Sequence, residues 1–252
     1  MTKLEEHSDE IAALILEPML GGLGMIPAAP AYLSELRSLC DEHEVLLIFD
    51  EVITLRLARG GIQEIEDVRP DLTAMGKIIG GGLPVGAFGG RAEILEQFNP
   101  ERGDALMHAS TFSGNALTMA AGLATLNALG PDELAHISAL GERLRGGFDA
   151  AFASAGIAGH MTGQGSLSHV HFGSERVTDA RTSVLAFAQS QPLTPLLHLG
   201  MLRRGVFAGG RQMYSVSTAM GEAEIDRAVQ AFGETLEELR PVAAEECSHL
   251  LG

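Results

Sequence analysis

Two short apolar runs on either side of a helical pattern constrain the fold of this chain more than any other feature. The first, Ile11 to Leu16, is unbroken, and the second extends from Val45 to Phe49. Between them, from about Ala31 to Glu44, apolar residues recur at helical spacing. Short runs without polar interruption are typical of strands buried on both faces, as in parallel sheets. The pattern therefore predicts a right-handed strand–helix–strand crossover within an α/β sheet.

Acidic residues end both of these predicted strands. Glu17 follows the first strand, and Asp50 follows Phe49 at the end of the second. Functional groups of such sheets emerge at the carboxyl ends of the strands, so we expect both residues at one edge. Asp50 suits either of two roles there, holding a protonated pyridine nitrogen or capping a loop or helix. Val52 would point the same way as Asp50 in an extended chain and could pack on a planar ring.

Lys77 is the candidate for covalent chemistry. The chain has only one other lysine, Lys3, and Lys77 begins the glycine-rich segment KIIGGG. A lysine amine of lowered pKa attacks carbonyl groups, and the glycines would allow a flat ligand or another subunit to approach the backbone closely. A surface lysine before a turn is the alternative. The segment is not a phosphate-binding P-loop, because no Ser or Thr follows the lysine and the glycine spacing differs.

A second polar segment precedes a helix predicted from Ala116 to Leu129. Thr111 and Ser113 could donate hydrogen bonds to an anion at the start of this helix, where free amides favour phosphate. An N-cap by Ser113 is the alternative. The helix is rich in Ala, Met and Leu and almost uncharged, which predicts burial on most of its sides.

The pattern changes at Pro131, where a long amphipathic helix begins. A strand at Leu167 to Phe172, helices between Thr182 and Arg204, a short strand near Met213 and a final helix from Glu222 to Leu239 follow. This content predicts a smaller C-terminal α+β domain. We therefore expect two domains, residues 1–130 and 131–252.

Composition excludes several classes of function. The formal net charge is −16, and no basic cluster is present to bind nucleic acid. Cys40 and Cys247 fit no metal-ligand spacing and no disulfide framework. The N-terminus does not resemble a signal peptide, and no apolar run is long enough to cross a membrane. We expect a soluble cytoplasmic protein without a metal site.

Four segments together resemble the class III aminotransferases, which depend on pyridoxal 5'-phosphate. They occur in the family's order and spacing, and the likeness is greatest to glutamate-1-semialdehyde aminomutase and to β-amino acid aminotransferases. The segments are LILEPMLGGLGMIP, LLIFDEVITLRLARGG, PDLTAMGKIIGGGLPVGAFGGR and HASTFSGNALTMAAGLATL. The resemblance implies fold type I, with an α/β large domain, and amino-group transfer on a small amino acid or amino ketone.

The resemblance also implies roles for particular residues. Lys77 matches the lysine that forms the internal aldimine, and Asp50 matches the aspartate paired with the pyridine nitrogen. Val52 matches the residue that packs behind the pyridine ring of the cofactor. Thr111 matches a threonine that reaches the cofactor phosphate of the neighbouring subunit in a homodimer. Glu17 matches a glutamate near the mouth of the active site.

Two departures from the family pattern affect what we expect. The segment TLRLARGG after Val52 is closer to the β-amino acid aminotransferases than to the aminomutase. Arg211 resembles an arginine that binds a substrate carboxylate in the β-amino acid aminotransferases. The alternative is a solvated charge on a loop. The resemblance also begins in the middle of the family, so we expect a C-terminal fragment whose incomplete sheet exposes an apolar edge. A non-catalytic or vestigial chain that needs a missing segment or partner is the alternative function.

Overall fold

The computed structural model describes residues 2–7 and 9–252, which form two compact units. The first unit comprises Met1–Pro18 and Ala28–Asp132, and the second comprises Met19–Pro27 and Glu133–Gly252. The short segment Met19–Pro27 thus belongs to the second unit, although it lies early in the sequence. The division into domains 1–130 and 131–252 stays a prediction, because compact packing does not test independent folding.

Nine strands and nine helices are assigned within the described residues. The strands are β1 Ala13–Leu16, β2 Met19–Leu20, β3 Ile26–Pro27, β4 Leu46–Asp50, β5 Leu72–Gly76, β6 Gly86–Gly90, β7 Gly159–Gln164, β8 Leu167–Phe172 and β9 Met213–Ser215. The helices are α1 Thr2–His7, α2 Tyr32–Glu42, α3 Ile62–Ile65, α4 Ala92–Leu95, α5 Ala116–Ala128, α6 Pro131–Ala155, α7 Ala180–Gln189, α8 Leu193–Arg203 and α9 Glu222–Glu246. None of these helices has the length and apolarity that crossing a bilayer requires.

The first unit is built on a four-stranded sheet in the order β1-β4-β5-β6. Strands β1, β4 and β5 are parallel, and helix α2 connects β1 to β4. Helix α2 buries Leu33, Leu36 and Cys40 on one face. The predicted strand–helix–strand crossover is therefore confirmed.

The last strand of this sheet, β6, runs antiparallel to β5. The connection between them is short, whereas a parallel return needs a crossover of a dozen or more residues. The sheet is therefore mixed, with its one antiparallel strand at an edge.

The other edge strand, β1, leaves apolar surface uncovered. Ile15 is 63% exposed and no residue of β1 is buried, so the prediction that this strand is buried on both faces is wrong. The exposure agrees with the apolar edge expected from the sequence. Helix α5 was predicted to be buried on most sides, and this prediction is wrong for the described residues. Leu117 is 75% exposed and Leu123 62% exposed, while only Thr118 and Gly122 of this helix are buried. The apolar composition of α5 indicates a covered helix, but only one face of it has a covering element here.

The second unit packs long helices on a three-stranded antiparallel sheet in the order β7-β8-β9. Phe148 of α6 stacks on Phe232 of α9 with ring centroids 3.9 Å apart. Helix α9 continues through Pro241, past its predicted end at Leu239. Strand β7 was missed, because its glycines and polar residues give no apolar alternation.

Asp71, just before β5, joins the first unit's sheet to its helices. Its carboxylate accepts hydrogen bonds from Leu47 N at 2.7 Å, Arg37 Nη1 at 2.8 Å and Arg91 Nη1 at 2.9 Å. The side chain is only 8% exposed. Burial by itself would raise the pKa of this carboxyl, but the bonds from Leu47, Arg91 and Arg37 outweigh it and lower the pKa. The charged form is thus stabilised by folding.

We predict that Asp71→Asn lowers the free energy of unfolding by about 2–4 kcal/mol, because buried donors lose their charged acceptor. Folding lowers the pKa of Asp71, so the stabilisation is present above about pH 4, which is the pKa of this group in the unfolded chain. The stabilisation is lost as the pH falls through the pKa of the folded state. Urea unfolding at pH 7 and pH 3 measures both effects. Glu93→Gln, which alters an exposed partner of Arg91, is the control, and an equal cost in both variants at pH 7 would contradict the prediction.

Candidate functional site

The parallel register of β1, β4 and β5 sets the candidate site in the first unit. Leu16 is paired with Phe49, and Asp50 is paired with Ala74. Glu17 and Asp50 therefore lie at the same edge of the sheet, as predicted. Lys77 follows β5 at this edge, three residues after Ala74.

Lys77 begins a 3₁₀ turn, Lys77–Gly80, and its side chain is exposed. Its backbone has φ 46°, in the left-handed region that side chains other than glycine seldom adopt. Such conformations persist only where surrounding contacts impose them, and they concentrate at functional sites. Within residues 2–7 and 9–252 the amine of Lys77 forms no ion pair.

The turn that Lys77 begins packs closely against α5. A Cβ atom at Gly122 would collide with the carbonyl oxygen of Ile79, and one at Gly81 would collide with that of Ala121. Gly81 also has φ +57°, which favours glycine. The prediction that the glycines after Lys77 open the backbone to a ligand or another subunit is therefore wrong for Gly81, which meets the chain's own helix.

Asp50 and Val52 lie next to the start of this turn. Asp50 is half-buried, and its Oδ1 accepts a hydrogen bond from Val52 N at 3.1 Å. Val52 lies in a separate turn that follows β4 and not in an extended strand, so the predicted common direction of the two side chains has no basis in strand geometry. Instead, a Cβ at Gly76 would lie 3.3 Å from Val52 Cγ1, which places the Val52 side chain beside the residue before Lys77.

Glu51, between these two residues, is a site residue that the sequence did not single out. It is fully buried and accepts four hydrogen bonds from the segment of residues 54–63. From Thr54 onward the chain forms a 3₁₀ turn, Thr54–Leu57, and then helix α3. The pattern Asp-Glu at a strand end gives no sign that one carboxylate faces inward and the other faces the edge.

The segment before α5 is held by its own residues. Asn115 caps the helix and accepts from Leu117 N and Thr118 N, so the predicted N-cap by Ser113 is wrong. Ser113 Oγ accepts from Ser110 N at 3.0 Å instead. Because Asn115 occupies amides at the helix start, they are not available to an anion. Thr111 is exposed in this segment.

Arg211 lies in the second unit, at a cavity of about 240 Å³. The arginine is exposed, and its neighbours in the cavity wall include His169, His171, Ser183 and Gln212. The structure thus places Arg211 at a concave surface of mixed polarity. In the first unit it places Glu17, Asp50, Val52 and Lys77 at one edge of the sheet.

Of the two cavity histidines, His171 is buried and His169 is half-buried. Their rings stack with centroids 4.4 Å apart, and His171 Nε2 lies 2.9 Å from Thr162 Oγ1. Burial lowers the pKa of His169 to about 4. Burial, with the charge of His169 as a second cause, lowers the pKa of His171 to about 3. Both rings are therefore neutral at pH 7.

The edge that carries Lys77 has the groups that a pyridine-type cofactor needs. An exposed amine follows β5, and a carboxylate ends the neighbouring strand with one oxygen bound to Val52 N. In the part of the chain that the structure describes, the other oxygen of Asp50 has no hydrogen-bond partner. Residues able to bond covalently to an aldehyde and to hold a protonated ring nitrogen are thus present, and they fit pyridoxal phosphate.

Two solved transaminase structures have the same fold as this chain. An ω-transaminase from Sphaerobacter thermophilus superposes with a TM-score of 0.90 at 42% identity, over 94% of this chain and 54% of that chain. A β-phenylalanine aminotransferase from Variovorax paradoxus gives a TM-score of 0.90 at 38% identity, over 96% and 55%. The chain therefore has part of the fold type I architecture of pyridoxal-phosphate-dependent transferases, as predicted.

The family model for aminotransferase class III matches residues 1–235. The chain belongs to the class III aminotransferase family, whose members depend on pyridoxal phosphate, and the resemblance noted in the sequence is confirmed. A β-phenylalanine transaminase from Variovorax paradoxus is 40% identical over 92% of this chain. A glutamate-1-semialdehyde 2,1-aminomutase from Syntrophobacter fumaroxidans is 40% identical over 96%. The chain spans about half the length of these relatives, 52% and 55% respectively.

We predict that the second unit loses stability as pH falls from about 6.5 towards 4. Folding lowers the pKa of His169 and His171, so the unfolded chain binds protons that the folded chain excludes. Each histidine then lowers the free energy of unfolding by about 1.4 kcal/mol for each unit by which the pH falls. Urea unfolding between pH 7 and pH 5 measures the slope, and His169→Gln should reduce it. The control is His249→Gln, an exposed histidine of the same unit. An unchanged slope in His169→Gln would count against the buried neutral state.

We predict that Gly122→Ala lowers the free energy of unfolding by about 2 kcal/mol or more, because the added methyl group meets a backbone oxygen that cannot move alone. Gly146→Ala is the matched control. It lies in a helix with open space around its Cβ position, and there alanine should stabilise by about 0.5–1 kcal/mol. Chemical denaturation compares the two variants. Similar behaviour in both would disprove the close contact between α5 and the turn after Lys77.

Proposed function

We propose that this chain takes part in amino-group transfer by a pyridoxal-phosphate-dependent class III aminotransferase or aminomutase, with Lys77 as the amine that bonds to the cofactor. The observation that carries the proposal is the parallel pairing of β4 with β5. It puts the carboxylate of Asp50 and the strained backbone of Lys77 at one edge of the sheet. The family membership and the two kinds of relative support the reaction class.

In this proposal the residues at the sheet edge have separate roles. Pyridoxal phosphate, when bound, supplies an electron sink for negative charge at the substrate carbon. Asp50 holds the proton-bearing ring nitrogen, and Val52 packs behind the ring. Lys77 Nζ moves a proton to and from the substrate carbon, which requires the amine to be neutral for part of the cycle.

Other residues serve the substrate and the assembly. We propose that Arg211 binds the carboxylate of a small amino acid or amino ketone, and that Glu17 lies near the entrance to the site. Arg211 is exposed at a cavity, which gives a carboxylate access to its guanidinium group. Thr111, which is exposed in the segment before α5, would serve the cofactor phosphate of a second subunit in a homodimer.

The alternative function is a chain that binds no substrate by itself and needs a further segment or partner. The apolar side chains exposed on β1 and α5 favour this alternative, because described residues do not cover them. The two functions differ in turnover and not in family. Cofactor binding without transfer of an amino group would favour the alternative.

We predict that borohydride reduction in the presence of pyridoxal phosphate places a pyridoxyl group on Lys77. The chain's second lysine gives a matched control. Lys3 is exposed at the N-terminal helix, so Lys3→Arg should keep the label and Lys77→Arg should lose it. Peptide mass mapping locates the group. Equal labelling of both lysines, or labelling that survives Lys77→Arg, would refute the proposal.

The same preparations test the role of Asp50. Asp50→Asn should leave the amine of Lys77 in place but weaken retention of the cofactor and reduce transfer from a β-amino acid donor. The loss in rate should be roughly a hundredfold or more, since the ring nitrogen loses its charged partner. Dialysis followed by absorbance measures retention. A wild-type rate in Asp50→Asn would remove Asp50 from the site.

A further inference from the structure

We propose that Glu51 is a positioning residue that fixes the turn after Asp50, which contains Val52. It thereby sets the position of a planar heteroaromatic ring at the sheet edge. This inference rests on the function proposed for Lys77 and Asp50. Glu51 itself is fully buried and does not reach that edge. It acts through the backbone on either side of it.

The carboxylate of Glu51 closes a loop of its own chain. Oε2 accepts from Thr54 Oγ1 at 2.8 Å and from Ile62 N at 2.7 Å. Oε1 accepts from Gln63 N and from Gln63 Nε2, both at 3.1 Å. The chain thus leaves β4 at Glu51 and returns to the same side chain about a dozen residues later.

Two of these four donors are backbone amides, which cannot accept a hydrogen bond. Ile62 N donates to Oε2 and Gln63 N donates to Oε1, so a glutamine in the same place would set its NH2 group against an N–H donor in either orientation. A buried donor without an acceptor costs more than an ordinary hydrogen bond contributes. The substitution Glu51→Gln therefore changes the network while nearly preserving its shape.

Gly61 shows how closely the returning loop approaches the carboxylate. A Cβ at Gly61 would collide with Glu51 Oε2, and the residue has φ +75°. Gln63 Nε2 also donates to Thr73 Oγ1 of β5 at 3.2 Å. The network therefore fastens the loop to both strands that carry the candidate site.

The backbone connects this network to the sheet edge. Glu51 N donates to Ala74 O at 2.9 Å and extends the pairing of β4 and β5 by one residue. Leu55 N donates to Glu51 O at 3.0 Å, and Val52 N donates to Asp50 Oδ1 at 3.1 Å. Asp50 thus lies between the β4–β5 strand pair and a turn that the carboxylate of Glu51 holds. A shift of less than 1 Å at such a site is enough to reduce cofactor binding.

The test compares Glu51→Gln with Glu64→Gln, an exposed glutamate of the same loop that accepts from Gly60 N. Three quantities are measured on full-length protein. They are the affinity for pyridoxal phosphate, the pH midpoint of the absorbance change of the bound cofactor, and amide hydrogen exchange at Val52. Circular dichroism confirms that each variant is folded. Gln63→Ala, which removes only part of the network, replaces Glu51→Gln if the latter does not fold.

We expect Glu51→Gln to weaken binding roughly tenfold or more, to shift the pH midpoint and to speed exchange at Val52. We expect Glu64→Gln to change none of these, and Gln63→Ala to act in the same direction as Glu51→Gln but less strongly. A general loss of stability with unchanged midpoint and Val52 exchange would overturn the proposal, because Glu51 would then be only structural. Wild-type affinity in a folded Glu51→Gln variant would also overturn it.

A failure of the proposed function gives a different experimental result from a failure of the positioning role. If wild-type Lys77 takes no pyridoxyl group, that function fails, while exchange at Val52 still shows whether Glu51 holds the turn. If Lys77 is labelled but Glu51→Gln behaves like the wild type in affinity, midpoint and exchange, only the positioning role fails.

Discussion

The parallel pairing of β4 with β5 is the interaction on which the candidate site depends. Because Asp50 is paired with Ala74, the strands end together, and a carboxylate and an amine separated by 27 positions in the chain come to one edge. Parallel strands cannot be joined by a short turn, so the chain between them has room for a loop. That loop contains the buried carboxylate of Glu51 and its partners.

Two kinds of contact hold this edge. On the side of β4, hydrogen bonds to Glu51 fix a polar loop. On the side of β5, the backbone of Ile79 lies against Gly122 of α5 with no space for a methyl group. The first depends on charge and the second on the absence of a side chain. Both fix backbone, which suits a site whose reactive groups must hold a set geometry.

Much of the first unit could be predicted from sequence, because short apolar strands and the helix between them have distinct periodicities. The strand ends gave Asp50 and Glu17, and the lysine count gave Lys77. Other features had no local signal. The approach of Gly122 to Ile79 joins residues far apart in sequence, and the inward direction of Glu51 depends on where the chain turns after Asp50. The choice of Asn115 over Ser113 as the helix cap depends on which of two polar residues lies at the first helical turn. The exposure of Leu117 depends on what covers α5, which composition does not state.

At Lys77, the amine that the proposed function needs and the stability of the left-handed turn favour different residues. A residue with a Cβ costs roughly 1 kcal/mol or more in this conformation, and glycine avoids most of that cost. Losing the amine would therefore make the turn easier to form. Under the proposed function, the lysine at φ 46° therefore keeps an amine at the site at a cost in stability that glycine would avoid.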